Sequence, residues 1–179
     1  MTATRAVLGY IETRDHRLMR RVHRWRAPRW IRLWMVVATR LGDGWVWYAL
    51  AVGVFLFGGA TRFVVLGAGQ SAALAGIVLF RLLKKSSGRQ RPCALEPHCW
   101  AHILPPDQFS FPSGHSITAF AVSVSVGLFH PELLPFLLFL AVSIAASRII
   151  LGMHFLSDVL AGSLIGATLG YSSFLIFSL

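Results

Sequence analysis

"RFVVLGAGQSAALAGIVLFRLLKK", Arg62 to Lys85, decides between two folds. Its middle, Gly67 to Gly76, superficially resembles the glycine-rich fingerprint of a dinucleotide-binding turn, which would imply an alternating α/β domain. That turn has to follow a strand and open a helix. Here no strand is expected before the glycines, and the apolar character runs straight through them. A stretch of about twenty such residues is what a helix needs to cross a hydrocarbon core. Inside it, small residues serve close packing against another helix. The segment is a membrane helix, over 63–83, and its neighbours follow the same pattern.

Of the 179 residues, 55% are hydrophobic and only 13% charged, too apolar for an ordinary soluble domain. Besides 63–83, spans are expected near 45–60, 113–129, 133–151 and 155–177, the first short enough to borrow from its flanks. The expected fold class is all-α: a polytopic membrane helical bundle with five transmembrane helices over residues 42–179, in one compact unit. Residues 1–41 form a separate basic arm. Arg5, Arg14, Arg17, Arg20, Arg21, Arg24, Arg26, Arg29 and Arg32 fall there. Leu8, Ile11, Leu18, Val22 and Trp25 recur at helical intervals, so the arm is expected to be an amphipathic helix on a membrane surface, with Asp15 interrupting its stripe. Segment 31–41 is too short and, with Arg32 and Arg40, too charged to span, and Gly42-Asp43-Gly44 breaks it. No apolar core precedes a small-residue cleavage site at the N-terminus, so no signal peptide is expected.

The 17 Lys+Arg against 7 Asp+Glu give a formal charge of +10. In a soluble chain that would point to nucleic acid. Beside apolar spans it points to anionic membrane lipids, and no nucleic-acid partner is expected. One long polar loop, from about Lys84 to Phe111, holds Cys93 and Cys99 with His98 and His102. A loop-closing bridge is one option for the cysteines. The spacing matches no standard zinc pattern.

Three polar groups flank the spans. They are "KKSSGRQRP" after the second, "PSGH" at the start of the third, and "SRIILGMHFLSD" between the fourth and fifth. With one crossing per span, both junctions lie on one face, so Lys84, Arg91, Ser113, Gly114, His115, Arg148, His154 and Asp158 can converge. Ser113 is placed to cap a helix and Gly114 to let its backbone approach an anion. Lys84, Arg91 and Arg148 supply positive charge and donors for phosphate oxygens. His154 and Asp158 are four apart on one helical face, which suits a nucleophilic imidazole steadied by a carboxylate. His115 is left to protonate a departing oxygen. A metal bound by His115, His154 and Asp158 is the rival reading, opposed by three cations aimed at the same place. A non-catalytic protein that binds anionic lipid through its arm is another.

Lys84 with Arg91-Pro92, then Pro112-Ser113-Gly114-His115, then Ser147-Arg148 with His154 and Asp158 resembles the three-part signature of the type 2 phosphatidic acid phosphatase (PAP2) family, which shares its site with vanadium haloperoxidases. The resemblance covers residues 84 to 158. It implies a phosphatase that needs no metal or other cofactor. His154 would be the nucleophile that forms a phosphohistidine, Asp158 its orienting carboxylate and His115 the general acid. Lys84, Arg91, Ser113, Gly114 and Arg148 would hold the phosphate.

Substrates suggested by the family are undecaprenyl diphosphate, phosphatidate, phosphatidylglycerophosphate and lipid A phosphates. A phosphotransferase with the same intermediate is the alternative within enzymes. A haloperoxidase is disfavoured because those proteins are soluble. The expected location is a bacterial-type cytoplasmic (inner) membrane, crossed several times. Many members have six spans, and this chain offers five plus the arm. Five crossings put the arm and the site on one face. The arginines favour the cytoplasm for it, whereas a Cys93–Cys99 bridge and the bacterial relatives favour the opposite side.

Overall fold

The computed structural model describes residues 3–25, 27–95 and 107–179. All the regular elements among them are helices: α1 (Ala3–Arg24), α2 (Arg29–Leu41), α3 (Trp45–Phe57), α4 (Arg62–Ser87), α5 (Pro92–Leu95), α6 (Gly114–Phe129), α7 (Leu134–Ile150) and α8 (Leu156–Ser178). A short 3₁₀ turn, Gly59–Thr61, leads into α4. The fold is all-α, as expected, and each anticipated apolar segment is a helix. Two stretches, Gly59–Ser87 and Leu156–Ser178, are long and apolar enough to cross a membrane. The other three apolar helices are shorter, with 13, 16 and 17 residues in α3, α6 and α7. At 1.5 Å per residue α3 reaches only about 20 Å.

Burial follows the logic of a lipid-facing bundle. Large apolar side chains point outward, among them Phe63, Leu74, Val78 and Leu82 on α4, Phe136 and Phe139 on α7, and Leu160 and Leu164 on α8. The buried face of α4 is small instead, with Ala68, Gly69, Ala72 and Gly76. A Cβ on Gly76 would stand 2.7 Å from a methyl of Ile117 on α6. The glycines of the opening stretch therefore work as a packing face. Gly88, in the left-handed region at φ 59°, then ends α4.

The tightest pair is α6 with α8. Gly162, Gly166 and Gly170 recur once per turn along α8 and are buried against α6. A Cβ on Gly166 would lie 2.3 Å from the carbonyl oxygen of Ile117, and one on Gly170 2.5 Å from that of Ala121. The backbones touch. Since α6 begins with the serine-glycine-histidine motif and α8 follows His154, this contact sets one motif against the other.

The N-terminal helices join this core. Met35 of α2 packs with Leu151 and Met153 at the end of α7. The acid that interrupts the stripe of α1 is buried: Asp15 is 5% exposed and accepts from the backbone N–H of Ser157 at 3.2 Å. Phe155, at the N-cap of α8, has no side-chain acceptor, so α1 supplies a cap that α8 cannot make for itself. His98, Cys99 and His102, and with them the bridge and zinc options, lie outside the described residues.

Candidate active site

One cavity of about 570 Å³ opens at the motif end of the bundle and continues between α3, α4 and α6. Its polar end is lined by Lys84, Arg91, Gly114, His115, Arg148 and His154. Its length is apolar, with Val54, Val65, Leu66, Ile77 and Val122 among its walls. Ser113 lies behind this end, fully buried as the N-cap of α6. Its Oγ accepts from Ser116 Oγ at 2.9 Å and its N–H donates to Asp158 O at 3.1 Å. All eight anticipated residues come together.

His154 sits on the turn between α7 and α8, 1% exposed. Its ring lies between two different surroundings. On one side Arg91 Nη1 is 3.1 Å from Nε2. A guanidinium has only donors, so Nε2 is the acceptor and the ring proton belongs on Nδ1. On the other side Nδ1 faces Asp158 Oδ2 at 3.7 Å, an ion-pair distance but too long for a hydrogen bond. Burial, with the charges of Arg148, Arg91 and Lys84, pushes the imidazole well below the ordinary histidine value, so it stays neutral and Nε2 carries a lone pair that accepts from Arg91.

The cations around it are arranged for an oxyanion. Arg91 is 2% exposed and is fixed from behind by Met153 O at 2.9 Å. Lys84 Nζ donates to Asp107 Oδ2 at 2.5 Å and Arg91 Nη2 to Asp107 Oδ1 at 2.8 Å. A carboxylate thus lies across the two groups expected to hold phosphate. Burial alone would raise the Asp107 carboxyl, but the hydrogen bonds and charges of Lys84 and Arg91 outweigh it and hold Asp107 below the usual carboxylate range. Arg148 is 3% exposed and donates through Nη1 to Thr39 Oγ1 at 2.5 Å. Its buried Nε has no partner among the described residues, an open donor beside the cavity. His115 is turned to Asp43, with Nε2 and Oδ1 2.9 Å apart. An acceptor there keeps a proton on Nε2.

Residues 63–178 match the model of the PAP2 superfamily. The chain belongs to that superfamily. It is a PAP2-type phosphatase, a hydrolase, and its curated relatives are lipid phosphatases. It is 36% identical over 127 residues to decaprenylphosphoryl-5-phosphoribose phosphatase of Mycobacterium tuberculosis, covering 71% of this chain and 68% of that one. It is 35% identical over 103 residues to phosphatidylglycerophosphatase B of Bacillus subtilis, covering 51% of this chain and 48% of that one. Among solved structures, the transmembrane PAP2-type phosphatidylglycerolphosphate phosphatase of Bacillus subtilis superposes with a TM-score of 0.74 at 25% identity, over 94% of this chain and 87% of that one. LpxE of Aquifex aeolicus gives 0.74 at 30% identity, over 89% and 93%.

Four charged residues of this PAP2 phosphatase site lie outside the anticipated set: Asp15, Asp43, Arg89 and Asp107. Arg89 stands two residues before Arg91 but turns to the other side of His154. Its Nη1 donates to Asp158 Oδ1 at 2.6 Å and to Ser157 Oγ at 2.7 Å, and its Nη2 to Asp15 Oδ2 at 2.7 Å. The remaining oxygen of Asp158 accepts from the N–H of Phe155 at 2.9 Å. A charged residue in a chain with so few was the available signal for all four.

Proposed function

We propose that this chain is an integral-membrane phosphatase of lipid phosphates or diphosphates, working through a phosphohistidine on His154 without a metal. The observation that carries the reading is a neutral, buried imidazole whose Nε2 faces three cations at the head of a long apolar cavity. The head suits a phosphate and the cavity suits an acyl or prenyl chain.

In this mechanism Lys84, Arg91, Arg148 and the first turn of α6 at Gly114 bind the phosphate oxygens, and Ser113 caps that turn from behind. Nε2 of His154 attacks phosphorus, and a P–N bond forms as the P–O bond to the lipid oxygen breaks. His115 gives that oxygen its proton. Asp158 balances the imidazolium that results. Water then attacks phosphorus and returns a proton to His115, the P–N bond breaks, and phosphate leaves. The names of the relatives and the family's range suggest undecaprenyl diphosphate, phosphatidate, phosphatidylglycerophosphate or a lipid A phosphate as substrate. Five crossings of a bacterial inner membrane, with α1 on the active side, complete the reading.

The test is phosphate release from a panel of these lipids by the detergent-solubilised protein, with EDTA present. Activity that survives chelation and is inhibited by vanadate, together with acid-labile ³²P on His154, is expected. Loss of activity in EDTA that zinc or magnesium restores would refute the mechanism. Transfer of the phosphate to an added lipid alcohol in place of water would make the protein a phosphotransferase.

A further inference from the structure

We propose that Asp15 and Arg89 are positioning residues of the active site, through which the N-terminal helix leaves Asp158 the negative charge that His154 requires when it is phosphorylated. The inference rests on the reading of His154 as the nucleophile.

The argument starts from charge. Asp158 is fully buried and its nearest cation is Arg89, which is 17% exposed at its side chain. A guanidinium paired with one buried carboxylate cancels it. Asp158 would then offer His154 Nδ1, 3.7 Å away, half of a neutral ion pair. That is a poor counter-charge for a ring that becomes cationic when Nε2 bonds to phosphorus. Lys84, Arg91 and Arg148 also line the far side of the ring. A second carboxylate changes the balance. Asp15, 5% exposed at its side chain, takes Nη2 of Arg89 at 2.7 Å while Nη1 goes to Asp158. Two carboxylates now share one guanidinium, and the cluster keeps one net negative charge beside His154. Little water reaches it, so the charge is weakly screened.

Geometry supports the same assignment. Asp15 is held by the N–H of Ser157 and by the Ser157 hydroxyl. The Arg89 guanidinium lies 4.4 Å over the ring of Phe155, the residue next to His154. His16, beside Asp15 on α1, meets the same ring edge-on at 5.0 Å. The helix that carries the basic arm thus reaches Phe155 and Ser157, the residues that follow the nucleophile. A simple cap for α8 would need only the acceptor on Asp15. Sharing Arg89 needs its charge.

The experiment measures kcat and KM on one lipid phosphate for the full chain and for Asp15→Asn, Asp15→Glu, Arg89→Gln and the Asp15→Asn/Arg89→Gln pair. Asp15→Asn keeps the cap acceptor and loses the charge. It should lower kcat about 10- to 100-fold with KM nearly unchanged. Asp15→Glu should retain most of kcat. The double variant should recover much of what Asp15→Asn loses, because Asp158 no longer shares its charge. A double variant as slow as Asp15→Asn, or an Asp15→Asn enzyme with wild-type kcat, overturns the proposal. Unfolding midpoints in detergent check the fold, and if the double variant does not fold, the Asn and Glu variants decide: equal losses in both mean that the position serves packing and not charge, and overturn the proposal. Rapid-quench ³²P capture on the unaltered chain separates the two levels. Label on His154 with kcat unmoved in Asp15→Asn defeats this inference only, whereas no label on His154 defeats the phosphohistidine reading and this inference with it.

Discussion

The two faces of the His154 ring carry opposite surpluses of charge. Toward the cavity stand Lys84, Arg91 and Arg148, with the Asp107 carboxylate across two of them. Toward the protein stand Asp158 and Asp15, with Arg89 between them. One face has more cations than carboxylates and the other the reverse. A surplus of cations suits an arriving phosphate, and a surplus of carboxylate suits a ring that turns positive after it has reacted. The lesson is that this site is assembled around His154 from both sides, and that its carboxylate side is completed by Asp15 of the N-terminal helix.

The sharpest way to break the comparison is to remove what separates the faces. His154→Ala should abolish turnover and phosphoenzyme labelling while the protein still folds; measurable lipid phosphatase activity would show that neither face acts through this ring. Next in size is His115→Ala. It should lower kcat about 10²- to 10⁴-fold on a lipid alcohol substrate, and less on an aryl phosphate whose leaving group needs no proton. An equal loss on both substrates would remove His115 from the acid role.

A pH profile sharpens the electrostatic half. Because burial and the neighbouring cations depress the His154 imidazole below 6.5, its lone pair is available at pH values where an ordinary histidine is already protonated. The acid limb of kcat/KM that belongs to His154 should therefore have its midpoint below that value. Conversion of Arg148 to Gln should move the limb upward, since one of the depressing charges is gone; a limb that stays in place would contradict the cause assigned to the depression. The smallest effect is expected at Asp107. Asp107→Asn frees Lys84 and Arg91 from a competing carboxylate, and KM should fall about twofold to fivefold with kcat little altered. A rise in KM would mean that Asp107 holds those cations in place for the substrate.

How far the sequence could be read depended on where each contact is made. The cation side was legible because Lys84 and Arg91 leave one helix, His115 starts another and Arg148 and His154 bracket a turn, so counting helices was enough to bring them together. The carboxylate side was legible only at Asp158, which shares a helical face with His154. Asp15 lies 142 residues from its partner Ser157, on a helix whose stripe it interrupts, and only docking reveals its purpose. Arg89 sits inside a quoted motif yet points away from its neighbour Arg91, a difference set by the backbone after Gly88. Asp43 was visible only as part of a helix break, and Asp107 only as a loop residue. The helices themselves were anticipated by hydropathy, the shortness of the first span included; α3 stops at Phe57 because Gly58 caps it and a 3₁₀ turn takes up the rest of the apolar run.

The glycines at 162, 166 and 170 bear on tolerance to change. Because the α6 and α8 backbones are in contact there, the two helices meet without any side chain of α8 at those positions having to choose a rotamer. Membranes change thickness and fluidity with temperature and diet, and outward-facing leucines and phenylalanines can absorb that by shifting. At its three glycines α8 has no side chain to shift. The setting of one motif against the other is thus fixed along α8, at positions that contribute by carrying no side chain.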